Sequence, residues 1–297
     1  MNDIIHTPVL LKEVLEIFNP QPGGRYIDAT VNGGGHAREI LDRIGEEGML
    51  LGIDRDGALI HRLKNKFADQ KNLIAVCSSY AEMDECAVLY GFGAVNGILF
   101  DLGFSSYHVD QSARGFSFLR DEPLDMRYNP EKTRLNARMI VNSWSQKELA
   151  RIGKEYGEER FANKIAAAIV SDRARTPINS TFDLVRIIRS AIPTPLQHGK
   201  LHPATKMFQA LRIAVNDELG ELKIGLEKGI DLLVSRGKMI VISFHSLEDA
   251  IVKEIFRKKE KEGIVRLITK KPLIAVSEET RINPRARSAK LRALIKI

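Results

Sequence analysis

A glycine-rich turn with a carboxylate on either side has the most chemical content in this sequence. The turn reads Asn32-Gly-Gly-Gly-His36 and follows Asp28 closely. Glycines let a ligand approach the backbone, and a helix that begins there presents its free N–H groups. Asp54 follows the turn by about 20 residues, the spacing at which an acidic side chain binds both hydroxyls of a ribose. A tight turn without any ligand is the alternative interpretation.

The turn does not complete the dinucleotide fingerprint G-x-G-x-x-G. After Gly33 and Gly35, Arg38 occupies the position of the third glycine. That glycine allows close helix packing beneath a pyrophosphate, so its replacement argues against a dinucleotide. The pattern therefore predicts a nucleoside ligand that has no pyrophosphate.

A second polar group follows the fourth apolar run of the chain. Asp101 ends this run, and Leu-Gly-Phe-Ser-Ser106 supplies hydroxyls and a flexible backbone after it. Ligands of open α/β sheets bind beyond the carboxyl ends of the strands, so Asp101 is expected at the same site. Ser105 and Ser106 have an alternative role in a turn or a helix cap. Tyr80, after the third run, could stack on a purine or pack in the core.

Other catalytic patterns are a poor match to this sequence. It contains neither a G-x-S-x-G elbow nor a G-x-x-x-x-G-K-[ST] phosphate loop. His198 and His202 have the spacing of a helical metal site, but Gly199 and Pro203 interrupt the helix, and we expect no metal. His245 follows an apolar run, where it faces a pocket or begins a helix.

Strand-like and helical segments alternate over the first hundred residues. The predicted strands are Tyr26–Thr30, Met49–Asp54, Leu73–Cys77 and Val95–Asp101, and the helices between them are His36–Ile44, Asp56–Phe67 and Tyr80–Leu89. This rhythm predicts a doubly wound α/β sheet with right-handed crossovers.

The rhythm changes after Asp101. Residues 103–136 are polar and turn-rich, and residues 137–190 show helical patterns only. Further predicted elements are a long helix from Pro203 to about Val234, a buried strand Lys238–Phe244 and a helix Leu247–Lys259. We therefore predict a core domain formed by residues 1–108 and 204–297, interrupted by a helical domain at residues 109–203.

Composition excludes several classes of protein. The 297 residues are 44% hydrophobic and 28% charged, as in a globular domain, and no apolar run reaches the length of a membrane span. Two cysteines without a C-x-x-C pattern and no visible secretory signal indicate a reducing compartment, the cytoplasm. The net charge of +7 divides into −2 for residues 1–250 and +9 for the remainder. Such a basic segment binds phosphate backbones or forms a solvated helix face.

Long strings of residues resemble the RsmH (MraW) family in the family's own order. They are His6-Thr-Pro-Val-Leu-Leu, Asp28-x-Thr-x-x-Gly-Gly-Gly-His36, Gly52-Ile-Asp-Arg-Asp56, Asp101-Leu-Gly-x-Ser-Ser106, Arg114-Gly-Phe-Ser-Phe118, Pro123-Leu-Asp-Met-Arg127, Tyr156-Gly-Glu-Glu-Arg-Phe161, His202-Pro-Ala-Thr-Lys-x-Phe-Gln-Ala-Leu-Arg212, Val215-Asn-x-Glu-Leu219, Ile242-Ser-Phe-His-Ser-Leu-Glu-Asp249 and Asn283-Pro-Arg-Ala-Arg-Ser288. The strings cover nearly the whole chain.

The resemblance implies an S-adenosylmethionine-dependent methyltransferase with a class I, Rossmann-like core and an inserted helical domain that recognises RNA. Members of that family methylate the exocyclic N4 of a decoding-centre cytidine in 16S rRNA. The implied partner is this rRNA, within the small ribosomal subunit or its late precursor. A monomer and a homodimer both remain open.

The resemblance also assigns residues to the cofactor. By matching motifs they are Gly34, Gly35, His36, Asp54, Tyr80, Asp101 and His108. The turn residues would line the methionine and adenosine side, Asp54 would hold the ribose, and Tyr80 would contact the adenine. Asp101 would lie beside the adenine or the methyl-transfer pocket. His108 stands where the family commonly has glutamine, because Ser-Ser-Pro-Gln is replaced here by Ser-Ser-Tyr-His.

The implied reaction is a direct in-line displacement by the cytosine N4. Asp101, or a backbone carbonyl within Asp101–Ser106, is the candidate acceptor for the N4 hydrogen. Phe104 or Tyr107 could stack on the base, and further candidates for substrate contacts are Ser105, Lys206, Arg212 and His245.

Two other functions compete with this one. The first is an rRNA-binding ribosome-assembly factor that has lost catalysis. The second is a DNA amino-methyltransferase, which is disfavoured because the expected Asn/Asp-Pro-Pro-Tyr/Phe box is replaced by Asp101-Leu-Gly-Phe.

Overall fold

The structure of the protein is a computed structural model that describes residues 8–197, 199 and 201–297. The first two residues of the motif at His6 lie outside these ranges. His198 does too, and the prediction concerning the His198–His202 pair therefore has no structural counterpart. No helix in the described part of the chain is long and apolar enough to cross a bilayer.

A seven-stranded sheet forms the larger of two compact units, which comprises residues 8–103 and 219–297 of the described chain. Its strands are β1 (Arg25–Asp28), β2 (Met49–Asp54), β3 (Leu73–Cys77), β4 (Val95–Asp101), β5 (Leu233–Ser243), β6 (Val265–Leu267) and β7 (Lys290–Lys296), in the order β3-β2-β1-β4-β5-β7-β6. The first five are parallel, and β7 runs antiparallel to both of its neighbours, β5 and β6. The predicted α/β class is confirmed.

Helices cover both faces of this sheet. The helices of the larger unit are α1 (Leu11–Phe18), α2 (Gly35–Ile44), α3 (Gly57–Lys66), α4 (Met83–Leu89), α11 (Glu218–Leu232), α12 (Ser246–Lys261) and α13 (Ser277–Ile282). One apolar core joins the sheet to α4, α11 and α12, and a second joins the opposite face to α1, α2 and α3. Strands buried on both faces read as continuous apolar runs, which is why the pattern of β4 was visible in the sequence.

Residues 104–218 form the second compact unit, which is helical. Its helices are α5 (Ser106–Asp110), α6 (Ala137–Ser143), α7 (Gln146–Glu155), α8 (Ala162–Arg173), α9 (Thr181–Ala191) and α10 (Thr205–Asn216). The predicted boundaries at 109 and 203 differ from these limits because α10 packs against α6 and α7. Its residues Met207, Phe208 and Leu211 belong to the apolar core of this unit.

The single helix predicted from Pro203 to Val234 is wrong. Helix α10 ends at Asn216, and Asp217 adopts a left-handed conformation with φ of 46° before α11 begins. Aspartate tolerates this conformation better than most residues, so it can separate two helices. The apolar residues of the two helices lie in different cores, and the apolar pattern alone did not reveal the break.

Candidate functional site

Three buried carboxylates end adjacent strands of the sheet. Asp28 ends β1, Asp54 ends β2 and Asp101 ends β4, and their exposed fractions are 2%, 9% and 7%. Since β2, β1 and β4 are neighbours and parallel, their carboxyl ends lie at one edge. This edge is where ligands of open α/β sheets bind.

The glycine turn after β1 packs closely against α3. Gly34 is the N-cap of α2 with φ of 74°, a conformation that favours glycine. A Cβ atom on Gly34 would lie 2.6 Å from both Leu63 Cδ1 and Phe67 Cε2. Among the described residues, no side chain caps the start of α2. The first N–H groups of this helix can therefore serve a ligand.

Asp54 is held in place by backbone donors on both sides. Its Oδ2 accepts a hydrogen bond from the Asn32 N–H at 3.0 Å, and its Oδ1 accepts one from the Asp56 N–H at 2.9 Å. Asp56 in turn caps α3 by accepting from the Ala58 N–H. A carboxylate oxygen can accept more than one hydrogen bond, so the acceptors of Asp54 fit the two hydroxyl groups of a ribose.

Asp101 has one carboxylate oxygen without a hydrogen-bond partner in the described part of the chain. This atom is Oδ1, which is fully buried, whereas Oδ2 lies 3.6 Å from Nδ1 of His36. The backbone N–H of Asp101 donates to Thr30 Oγ1 at 2.6 Å and so fixes the end of β4. A buried acceptor without a partner is costly, and a ligand that donates a hydrogen bond would satisfy it.

Burial raises the pKa of the Asp101 carboxyl well above its usual range. The negative charges of Asp28 and Glu248 raise this pKa further, whereas the positive charge of Arg285 lowers it. Glu248 and Arg285 were not predicted as site residues. Nothing in their sequence context indicated that the fold places them around Asp101.

Tyr80 packs between β4 and α11. Its ring meets Phe100 edge-on at 5.6 Å, and a Cβ atom on Gly225 would lie 2.8 Å from its Cδ2. The sequence allowed two roles for the Tyr80 ring, packing in the core and stacking on a purine. The structure shows the packing contact. The adenine contact stays a prediction.

A polar cluster that sequence reasoning missed lies close to Tyr80 in the chain. Ser79 Oγ donates to Glu221 Oε2, and Arg55 Nη2 lies 3.4 Å from Glu221 Oε1. The cluster therefore joins the segments after β2 and β3 to α11. Residues so far apart in the chain meet only in the folded protein, so no local motif revealed them.

His245, predicted as a substrate contact, begins a helix. Its Nδ1 accepts a hydrogen bond from the Glu248 N–H at 3.4 Å, and Glu248 Oε2 accepts one from the His245 N–H at 3.3 Å. This reciprocal arrangement is a capping box for α12. The helix start was one of two alternatives open in the sequence.

The remaining predicted residues lie in the unit of residues 104–218. His108 Nδ1 accepts a hydrogen bond from the Ser105 N–H at 3.1 Å, and its buried ring lies about 5 Å from the rings of Phe116 and Tyr128. The ring is therefore part of an aromatic cluster. The cofactor contact of His108 and the substrate contact of Ser105 stay predictions.

The two basic residues predicted as substrate contacts have partners already. Arg212 forms a buried, two-pronged ion pair with Glu218 at 2.8 and 2.9 Å, and its guanidinium lies over the Phe104 ring at 4.6 Å. Lys206 Nζ donates to the Glu158 carbonyl at 2.8 Å. A phosphate would compete with Glu218 for Arg212, whereas the Lys206 ammonium has three donors and can bind a phosphate beside the carbonyl.

The basic C-terminal segment divides into paired and exposed charges. Arg292 and Lys290 contact the Asp249 carboxylate at 2.7 and 3.3 Å, so they stabilise the larger unit. Lys270 and Lys271 are exposed on the segment after β6. Only part of the +9 charge is therefore available as a basic surface.

We expect the Asp28 carboxyl to make stability depend on pH. Burial raises its pKa to about 7, although the Thr30 N–H lowers it, and nearby Asp54 raises it further. The folded protein therefore retains a proton that the unfolded chain loses above about pH 4, and stability falls as the pH rises to about 7. Asp28→Asn should remove about 4 kcal/mol of this decline, at about 1.4 kcal/mol per pKa unit.

Urea unfolding of wild type and Asp28→Asn at about pH 5 and about pH 8 measures the part of this decline that lies between those pH values, about 3 kcal/mol for a folded pKa of about 7. Asp42→Asn, which changes an exposed carboxylate on α2, is the control. Parallel declines in wild type and Asp28→Asn would contradict the prediction.

The sheet order, the glycine turn after β1 and the acidic residue that ends β2 define a class I methyltransferase core. A family model described as the MraW methylase family matches residues 3–297. The chain is 47% identical to "Ribosomal RNA small subunit methyltransferase H" of Geobacter sulfurreducens, across 98% of this chain and 99% of that protein. Proteins of the same name from Heliobacterium modesticaldum and Symbiobacterium thermophilum are 44% and 43% identical, each across 98% of this chain and 98% and 96% of theirs.

The chain belongs to the MraW methylase family. It is a methyltransferase, and the predicted cofactor, S-adenosylmethionine, is its methyl donor. The residues that would hold this cofactor are those of the glycine turn and Asp54. The acceptors of the Asp54 carboxylate and the uncapped start of α2 both fit such a ligand.

Proposed function

We propose that this methyltransferase modifies the exocyclic N4 of a decoding-centre cytidine in 16S rRNA. The names of its relatives support small-subunit rRNA as the substrate. The observation that carries the choice of an amino group is the buried Asp101 Oδ1, an acceptor without a partner among the described residues. An exocyclic amino group brings the N–H that this oxygen lacks.

The chain's own residues position the reactants. The bound cofactor supplies a methyl group that is already activated on a sulfonium, so the protein contributes orientation and electrostatics. The N4 lone pair is delocalised into the cytosine ring, and an acceptor for N4–H helps it become available for attack. Asp101 has that role in our proposal. The target base must be unpaired to reach such a site.

A groove in the helical unit supports a role of this unit in RNA recognition. It is lined by Phe118, Leu119, Phe182, Val185, Arg186, Arg189 and His202. The rings of Phe118 and His202 stack at 4.6 Å, and Phe182 is half exposed. Aromatic rings beside arginines are typical of surfaces that bind single-stranded nucleic acid.

The partner in this proposal is the small ribosomal subunit or its late precursor in the cytoplasm. Four residues remain proposed substrate contacts: Ser105, Lys206, Arg212 and His245. The structure gives each of them a local partner, so binding of RNA would rearrange these contacts.

The test uses methyl-deuterated S-adenosylmethionine and small subunits from cells that lack this gene. We expect nucleoside mass spectrometry to find deuterated N4-methylcytidine in 16S rRNA, and mass spectrometry of ribonuclease fragments to place it at one position. A label on another atom would contradict the N4 assignment. Cofactor binding without any label on the subunits or on free rRNA would favour the assembly factor that has lost catalysis.

We expect the exposed lysines after β6 to contribute to RNA binding. Replacing both Lys270 and Lys271 by alanine should weaken RNA binding and reduce the slope of log affinity against log salt by about 1.4 to 1.8, because two phosphate contacts are lost. Filter binding over a salt series measures the slope. The matched control replaces Lys64 and Lys71, which are exposed on α3 and before β3, towards the other edge of the sheet. Equal slopes for both double variants would exclude a specific role.

A further inference from the structure

We propose that His36 and Asp101 share a proton, and that His36 thereby sets the charge of the carboxyl group that meets the substrate amino group. His36 is a positioning residue in this account, because it acts through Asp101. The inference rests on the proposed function for its catalytic meaning. Its geometric basis lies entirely within the larger unit.

The hydrogen on one ring nitrogen of His36 follows from its partner. Nε2 of His36 lies 3.0 Å from the Val9 carbonyl oxygen. A carbonyl oxygen can only accept, so Nε2 must carry the hydrogen and donate it. In a neutral imidazole the other nitrogen, Nδ1, then has a lone pair.

That second nitrogen faces a carboxylate. Nδ1 of His36 lies 3.6 Å from Oδ2 of Asp101, and the two residues are only 4% and 7% exposed. If the imidazole were neutral and Asp101 ionised, a lone pair and a negative oxygen would oppose each other away from water. One additional proton between the two groups removes this conflict.

The surrounding charges favour retention of that proton. The negative charges of Asp28 and Glu248 act on Asp101 from β1 and α12, and Arg285 acts with the opposite sign. Burial and the two acidic groups raise the pKa of Asp101, so they favour the state in which the pair holds a proton. We assign this proton to His36 Nδ1 in the resting protein, and the pair titrates as a unit.

The location of the proton matters for the reaction. When His36 Nδ1 holds it, Asp101 is a carboxylate whose Oδ1 can accept the N4–H of the substrate. N4 forms its bond to the methyl group while the methyl–sulfur bond breaks with its electron pair remaining on sulfur. N4 then loses one proton to Asp101 Oδ1. His36 keeps its proton throughout. The proton that Asp101 Oδ1 has accepted from N4 returns to solvent after product release.

The test is a titration of the Asp101 carboxyl carbon by carbon-13 NMR, without RNA or cofactor. His36→Gln keeps a donor for the Val9 carbonyl but cannot take up a proton. We expect the midpoint of Asp101 ionisation to rise by about one pH unit or more in this variant, because the stabilising imidazolium is lost. An unchanged or lower midpoint would overturn the proposal. Asp101→Asn assigns the signal, and His61→Gln, an exposed histidine on α3, is the matched control.

A second measurement does not depend on the folding of a variant. Nitrogen-15 NMR of the unaltered protein should show both ring nitrogens of His36 protonated at neutral pH. A neutral ring with hydrogen on Nε2 alone would contradict the proposal.

Kinetics separate this inference from the proposed function. In His36→Gln, the acidic limb of the pH profile of the single-turnover rate should shift to higher pH by the same amount as the NMR midpoint. A merely structural loss would lower the rate equally at every pH. Methylation of N4 without any NMR shift would refute the proton-sharing pair alone. An NMR shift without N4 methylation would refute the proposed substrate alone.

Discussion

Asp101→Asn is expected to reduce the rate of a single methyl-transfer turnover by about 10²- to 10⁴-fold, the usual contribution of a positioned proton acceptor. The carboxamide keeps the shape of the side chain but cannot take the proton from N4. Rapid-quench measurements at saturating cofactor and RNA report this step.

The cofactor affinity of the Asp101→Asn variant should change by less than about tenfold, since the ribose contact is assigned to another residue. Isothermal titration with S-adenosylmethionine checks this. Asp42→Asn, at an exposed position on α2, should behave as wild type in both assays. A wild-type turnover rate in Asp101→Asn would transfer the acceptor role to a backbone carbonyl of residues 101–106.

Asp54→Ala should weaken cofactor binding by at least about 100-fold, because two hydrogen bonds to a charged acceptor contribute about 3 kcal/mol or more together. The substitution also removes the acceptors of the Asn32 and Asp56 N–H groups, and these bonds hold the glycine turn and the start of α3. Equilibrium titration with S-adenosylmethionine measures the effect. Asp54→Asn, which retains one oxygen, should lie between wild type and the alanine variant.

A cofactor analogue without ribose hydroxyls distinguishes the two roles of Asp54. If the carboxylate binds the ribose, wild type should bind the dideoxy analogue only slightly more tightly than Asp54→Ala does. If the ratio of affinities is the same for both ligands, Asp54 acts only through the glycine turn. Thermal unfolding of the variant shows whether the larger unit is intact.

Continuous apolar runs located the strands of the sheet better than they located the strand ends. The predicted bounds of β2, β3 and β4 coincide with the observed ones. The predicted bounds of β1 and β5 differ from the observed Arg25–Asp28 and Leu233–Ser243, because an apolar run records burial and not where strand pairing stops. The helix predicted from Pro203 to Val234 was wrong for a related reason. Apolar periodicity shows that a helix is buried but not in which core, so the left-handed Asp217 between α10 and α11 went unrecognised.

All three buried strand-end carboxylates were noted in the sequence, Asp28 beside the glycine turn and the other two at the ends of apolar runs. Asp54 and Asp101 each end an apolar run, and their side chains therefore meet at one edge of a parallel sheet. The groups that set the charge of Asp101 could not be found in this way. Glu248 and Arg285 are more than 140 residues away in the chain, and local pattern contains no information on such a contact.

The sequence alone determined the α/β class, the glycine turn with its two following carboxylates, and the resemblance to a family of methyltransferases. These features are local, because each depends on the spacing of apolar residues, on the glycines of a turn or on a continuous motif. Tertiary structure alone decided where the helical unit ends, which basic residues are already paired, and that His36 faces Asp101. These depend on packing and on the burial of charge, whose energies are set by neighbours that only the folded chain brings together.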